Sequence, residues 1–303
     1  MLEENGLQGA RSLRASLFFA ALCLIWGSTW LAIKIGLVGV PPFLGAGLRF
    51  ALSALLVGMV LVVRRQHIRL TRDDTICVLS LGLLVFWLDY AAVYWAETRI
   101  SSGLTAILFS TMPLMTALLS RFWTHGELLS GRRVAGIVVG VIGTVLLFGP
   151  NVRLGLQSAL GMLAALAGSF CAAINLVTMK RFGSKSDPFV LNFLGMGLGA
   201  ACLLLMSAVF ERHAAVRWSA SNLLALLYLA VFGSVTAFSI YYRLIKVMDA
   251  TVVSLTTLII PIVALTLGWF VLHESVTRLA VVGVVTILTG VGVSLMPARR
   301  SSP

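Results

Sequence analysis

Ten apolar blocks, each about twenty residues long, dominate this chain. They fall at 17–37, 43–63, 75–95, 102–123, 132–149, 158–179, 188–209, 220–242, 250–272 and 277–297. A block of about that length crosses a ~30 Å hydrocarbon core as an α-helix, and over that span in lipid a helix satisfies its own backbone polar groups. Only 11% of the 303 residues are charged and 59% are hydrophobic, against about 25% charged in a soluble domain. Too little polar surface exists to coat a water-soluble globule. The sequence predicts an all-α polytopic membrane protein of ten transmembrane helices, with the lipid bilayer as its surroundings. The linkers are short and leave no room for a catalytic or nucleotide-binding domain outside the membrane.

A net charge of +12 raises the question of nucleic acid, and the distribution of that charge answers it. The basic residues lie between the blocks. With the N-terminus in the cytoplasm, sixteen Lys and Arg fall on the cytoplasmic side and five on the other. The positive-inside bias then places both termini in the cytoplasm, with 1–16 as a cytoplasmic N-terminal segment and 298–303 as a cytoplasmic tail. Cys23, Cys77, Cys171 and Cys202 form no CxxC pair, so neither a disulfide framework nor a zinc site is indicated. His125 with Glu127 and His273 with Glu274 lack the second histidine of HExxH. No metal and no cofactor are expected, and the two glutamates read as partners of helix N-termini.

The stretch 102–148 is echoed by 250–296. Each has an apolar run with a central proline, Pro113 or Pro261, and then a histidine with a glutamate. Nine residues separate Glu127 from Gly136 and Glu274 from Gly283. The offset is 148 residues at the prolines and 147 at the glutamates. Such self-similarity over half the chain marks a duplication. The copies span 17–149 and 158–297, with five helices each. Five is odd, so the second copy should lie upside down relative to the first. Inverted repeats of this kind place a binding site near the bilayer midplane, between the halves.

Ten helices in two copies, the WGSTW run at Trp26–Trp30, the LRF at Leu48–Phe50 and the glutamate opening the fifth helix of each copy (Glu127, Glu274) resemble the drug/metabolite transporter superfamily, EamA-type branch. The likeness covers nearly the whole chain. It implies cytoplasmic termini and export of amino acids or other small metabolites by alternating access. The second copy carries Phe170-Cys171 where the first has Trp26-Gly27, and it has no evident counterpart of Arg49.

Charged residues inside apolar blocks are costly in lipid and are functional candidates by default. Lys34, Arg49 and Asp89 qualify. Block positions put all three toward the extracellular end, as a gating cluster in which Asp89 holds one or both cations. The competing reading is snorkelling of Lys34 and Arg49 with a structural pair at Asp89. Aromatics form a second group. Trp26 and Trp30 are four apart on helix 1. Phe86, Tyr90 and Tyr94 share a face of helix 3, and the 148 offset sets Tyr90 against Phe238 and Tyr94 against Tyr242. Trp26, Trp30, Phe86, Asp89, Tyr90, Phe238 and Asn175 are the candidate lining of a substrate cavity. The alternative for the aromatics is an interfacial belt, which suits Tyr94 and Trp95. The alternative for Asn175 and Asn192 is helix–helix hydrogen bonding. Pro113 and Pro261 read as hinges or as fixed kinks in helices 4 and 9. Gly136, Gly140, Gly195, Gly199, Gly283 and Gly290 read as close-packing positions.

These features favour a secondary transporter for a small-molecule substrate, with amino acids, and aromatic ones above others, as its cargo. No Walker motif is present. Coupling stays open between proton antiport through Asp89 and uncoupled facilitation. A multidrug or other metabolite permease is the alternative. A cationic drug is disfavoured because helix 1 carries Lys34 and no acid. An enzyme or a scaffold is less supported, since no nucleophile with a base and no paired acids lie in the blocks. The expected setting is a bacterial inner membrane, with a monomer or weak homodimer.

Overall fold

The computed structural model describes residues 2–100, 102–123, 130–148, 155–183, 187–272 and 277–296, and among them every regular element is helical. In chain order these are α1 (Leu2–Gly36), α2 (Pro42–Val63), α3 (Arg72–Glu97), α4 in two pieces (Ser102–Phe109 and Met112–Trp123), α5 (Gly131–Phe148), α6 (Leu156–Phe182), α7 (Pro188–Phe210), α8 (Ala220–Val247), α9 in two pieces (Ala250–Ser254 and Thr256–Leu272) and α10 (Arg278–Leu295). Eight of them contain a stretch long and apolar enough to cross a membrane. The other two, α5 and α10, are 18 residues each and stand where the fifth helix of each copy was expected. His125, Glu127, His273 and Glu274 lie outside the described residues.

The helix boundaries follow local chemistry, and that chemistry repeats. Pro42 opens α2 and Pro188 opens α7 at the first helical position, where a missing N–H costs nothing. Thr71 and Asp74 form a capping box at the start of α3, and Ser219 and Asn222 form the same box at the start of α8. Each box residue is 148 positions from its mate. Both helices then widen into π-helix, over Ser80–Asp89 in α3 and over Leu229–Thr236 in α8. The duplication therefore extends to an uncommon backbone form, one that concentrates at functional sites.

Inversion is visible where equivalent helices touch. A Cβ added to Gly58 of α2 would stand 2.8 Å from Phe193 of α7, and one added to Gly47 would stand 2.8 Å from Leu204. Positions 47 and 193 are 146 apart, as are 58 and 204, so each contact is the image of the other. As the number rises along α2 it falls along α7, and the two helices run antiparallel. The same exchange joins α5 to α10. A Cβ on Gly136 would meet the Gly290 carbonyl at 2.5 Å, and one on Gly143 would meet the Gly283 carbonyl at 2.8 Å. The glycines expected to pack closely do so, because only a hydrogen fits between backbones at that separation.

The interruptions of α4 and α9 fall upstream of the prolines. α4 breaks at Ser110–Thr111, and Pro113 sits in the first turn of the following piece; α9 breaks at Leu255, six residues before Pro261. The breaks coincide with runs of hydroxyl side chains that take the carbonyl three residues back. Ser110 donates to Ile107 O and Thr111 to Leu108 O, while Ser254, Thr256 and Thr257 donate to Thr251 O, Val253 O and Ser254 O. Such bonds compete with the helical ladder and bend it. The Phe109 carbonyl, which Pro113 cannot serve, receives the Ser169 hydroxyl of α6 at 3.5 Å.

Cross-half ties join the halves at two places. At one end the Glu211 carboxylate accepts from the backbone N–H of Phe43 and Leu44, both at 2.9 Å, and Arg217 N–H donates to Gly39 O at 2.8 Å. At the other end Arg133 pairs with Asp249 at 3.2 Å. An anion at the N-terminus of α2 is favoured by the helix dipole.

Candidate functional site: a cavity on the seam

Between the halves lies a cavity of about 90 Å³ with an open mouth. Its wall comes from α1, α3, α4, α6, α8 and α9. Four pairs of lining residues are 148 apart: Tyr90 with Phe238, Val93 with Tyr241, Phe109 with Thr257, and Met112 with Ile260. Related positions of both copies thus face one volume. Trp26, Trp30, Asp89, Tyr90, Asn175 and Phe238, all expected at the site, line it.

Phe86 does not. It is fully buried, with its ring 4.7 Å from both Phe50 and Phe238, and it supports the wall from behind. Trp26 packs on Phe238 at 5.5 Å and on Tyr241 at 5.3 Å, while Trp30 meets Phe109 edge-on at 6.1 Å. These are ordinary aromatic separations, and they leave the indole N–H of Trp26 without a partner. Phe170, the sequence counterpart of Trp26, is 45% exposed on the outside of the bundle.

The expected charge cluster is not formed. Lys34 is exposed and away from the wall, so its long stem places it as a snorkelling residue. The argument against cationic cargo drawn from Lys34 loses its basis with it. Arg49 is 1% exposed and makes no ion pair with Asp89 among the described residues. Instead its Nε donates to Ser234 Oγ at 2.9 Å and its Nη2 to Gly233 O at 3.1 Å, both in the π-stretch of α8. Longer contacts reach the hydroxyls of Tyr94 (3.4 Å) and Tyr90 (3.5 Å), and the guanidinium lies 4.8 Å from the Tyr90 ring centre. Several acceptors and an aromatic face make a buried cation tolerable without an anion. Tyr94, expected in the interfacial belt, is buried instead to serve Arg49. Trp95 keeps its place near the surface, under the Arg99 guanidinium at 3.4 Å.

Asp89 ends the π-stretch of α3 and is 4% exposed. Its Oδ1 has no hydrogen-bond partner. Gly168 of α6 makes the space for it, since a Cβ there would come within 2.7 Å of that oxygen. Among the described residues of the wall Asp89 is the acid, and no Lys, Arg or His accompanies it. Asn175 both lines the cavity and bridges helices, accepting from Ser80 Oγ at 3.2 Å. Asn192 donates to Ser239 at 3.4 Å between α7 and α8, away from the wall.

Sequence reasoning missed Thr29, Phe109, Met112, Tyr241, Ser254 and Thr256. The 148 offset carried the signal for Phe109, Met112 and Tyr241, whose mates Thr257, Ile260 and Val93 share the wall. No group of three His, Cys, Asp or Glu side chains that could hold a metal occurs among the described residues.

A family model described as the EamA-like transporter family matches residues 13–149 and again 159–296. The "Uncharacterized transporter YoaV" of Bacillus subtilis (strain 168) is 28% identical, over 89% of this chain and 93% of its own length. The "Probable amino-acid metabolite efflux pump" of Escherichia coli (strain K12) is 27% identical, over 91% and 93%. The "Uncharacterized inner membrane transporter YedA" of Escherichia coli (strain K12) is 29% identical, over 92% and 91%. A crystal structure of a protein 22% identical shares the fold, with a TM-score of 0.79 over 93% of this chain and 98% of that one.

Proposed function

The chain belongs to the EamA-like transporter family, and from that premise we propose that it exports small metabolites bearing an amino group and an apolar or aromatic body, amino acids and their derivatives, by alternating access. It is a multi-pass membrane protein, and we place it in a bacterial inner membrane with both termini cytoplasmic.

The single observation that carries the reading is the cavity on the seam, walled by corresponding residues of two inverted halves and holding a carboxylate among aromatic rings. Inverted halves can close either end around one fixed site. The ties at the two ends, Glu211 on the N-terminus of α2 and Arg133 with Asp249, are contacts that such a cycle would break in turn. The breaks of α4 and α9 supply pliable points beside the wall. The name of the Escherichia coli relative speaks of amino-acid metabolites, which supports the amino group in this reading.

Purified protein in liposomes preloaded with labelled aromatic amino acids, aromatic amines or nucleosides tests the proposal. Efflux of an amino compound well above that of protein-free liposomes, with nucleosides retained, is the expected result. Leakage equal to the protein-free control for every compound would remove the reading.

A further inference from the structure

The serine and threonine hydroxyls of the cavity wall spend their protons on backbone carbonyls. Thr29 donates to Trp26 O at 2.7 Å, Ser254 to Thr251 O at 2.7 Å, Thr256 to Val253 O at 2.9 Å and Thr257 to Ser254 O at 2.8 Å. A hydroxyl has one proton and two lone pairs. With its proton committed to the backbone it can only accept from a ligand. Asp89 adds a carboxylate, an acceptor alone when ionised, and its Oδ1 has no partner from the protein. The wall is thus rich in acceptors. Its donors are the indole N–H of Trp26, the Asn175 amide and the phenols of Tyr90 and Tyr241, and none of them carries a positive charge.

The buried cation nearest the site does not correct this balance. Arg49 stands behind the Tyr90 ring with its donors aimed at Ser234 and Gly233. A ligand carboxylate placed in the cavity would lose its hydration and meet neutral donors beside the Asp89 carboxylate, with no cation among the described residues of the wall. A ligand ammonium would find acceptors, a counter-ion and the faces of Trp26, Tyr90 and Phe238. An uncompensated buried charge is expensive, and a ligand ammonium that reaches the Asp89 carboxylate would compensate it.

We infer that the cavity selects a ligand of net positive charge, an aromatic amine without a free carboxylate, over the zwitterionic amino acid of the same side chain. The inference rests on the carrier reading of the same cavity and narrows it. Asp89 pairs with the ammonium, the hydroxyls of Ser254, Thr256 and Thr257 accept its remaining N–H groups or those of an amide, and the rings hold the planar body.

Tyramine, tyrosine and tyrosine amide share one ring and differ at the carboxylate, so they are the probes. Binding of labelled tyramine to the purified protein is measured in competition with each, and counterflow of tyramine and tyrosine is measured in liposomes. Tyramine and tyrosine amide should bind at least tenfold more tightly than tyrosine and be exchanged faster than it. Asp89→Asn should weaken tyramine binding tenfold or more with an unchanged melting temperature. Thr257→Val, which keeps the shape and removes an acceptor, should weaken it several-fold, and it serves if Asp89→Asn fails to fold. Tyrosine binding as well as tyramine, or tyramine binding untouched by these substitutions, would overturn the inference while counterflow still proved a carrier. Absence of counterflow for all probes and for nucleosides would overturn the carrier reading and this inference together.

Discussion

Two buried charges in one bundle, Arg49 and Asp89, have opposite surroundings. Arg49 is 1% exposed and saturated, with acceptors from Ser234, Gly233, Tyr90 and Tyr94 and a ring beneath it. Asp89 is 4% exposed, lines the cavity, and has an oxygen with no partner. The cost of burying a charge is met by protein in the first case and left to be met by something else in the second. Depth in the membrane alone does not mark a binding residue. A saturated charge is a structural tie, here from α2 of one half to α8 of the other, and we propose an unsaturated charge on a cavity wall as a binding group.

That contrast can be broken at either end. Arg49→Leu should have the largest effect on the folded state. It leaves the Ser234 hydroxyl and the Gly233 carbonyl facing an apolar side chain, and each buried polar group left without a partner costs about 1–3 kcal/mol. The expected outcome is a collapse of folded yield and of melting temperature in detergent; a melting curve matching the parent would mean that Arg49 is no tie. Asp89→Asn should do the reverse, with melting within about 1 kcal/mol of the parent and flux down at least tenfold. Equal loss of stability in both variants would erase the distinction drawn here. Gly168→Ala presses a methyl onto the Asp89 carboxylate. Overpacking of this kind costs roughly 1–3 kcal/mol, and moving the carboxylate should raise the KM several-fold; an unchanged KM would show that the position of Asp89 is immaterial. Ser234→Ala removes one acceptor from Arg49 and keeps the others. A loss of about 1 kcal/mol is expected from a single hydrogen bond, with flux preserved, as a thermal melt and a flux assay would show together.

The helices were legible because apolar length in a membrane chain is a physical requirement, and the apolar blocks match α1 to α10 within a few residues except at the N-terminus of α1, which begins at Leu2. The duplication was legible because glycine, proline and glutamate occupy positions that geometry constrains. Of the wall, the 148 offset gave Phe238 through Tyr90, while Trp26, Trp30, Asp89 and Asn175 were legible as aromatic, charged or amide residues inside apolar blocks. The partners of Arg49 were not. Ser234 lies 185 residues away and is neutral, and a search for a buried cation's partner looks first for an acid. The π-stretches of α3 and α8 were also hidden, since a change from i+4 to i+5 hydrogen bonding leaves no mark on hydrophobic pattern. The breaks of α4 and α9 were assigned to Pro113 and Pro261, whereas the hydroxyl runs upstream of them carry the interruption. Ser254, Thr256 and Thr257 of the α9 run also line the cavity, and the direction of a hydroxyl proton is not written in a sequence.

The account turns on one volume that faces each side of the membrane in turn. Ile260→Cys, placed on the wall in a chain whose Cys23, Cys77, Cys171 and Cys202 have been replaced by alanine, reports on that volume through a membrane-impermeant thiol reagent. The account predicts labelling when the reagent is added to either side, and protection from both sides by bound cargo. Labelling from one side only under every condition, with no protection, would contradict it.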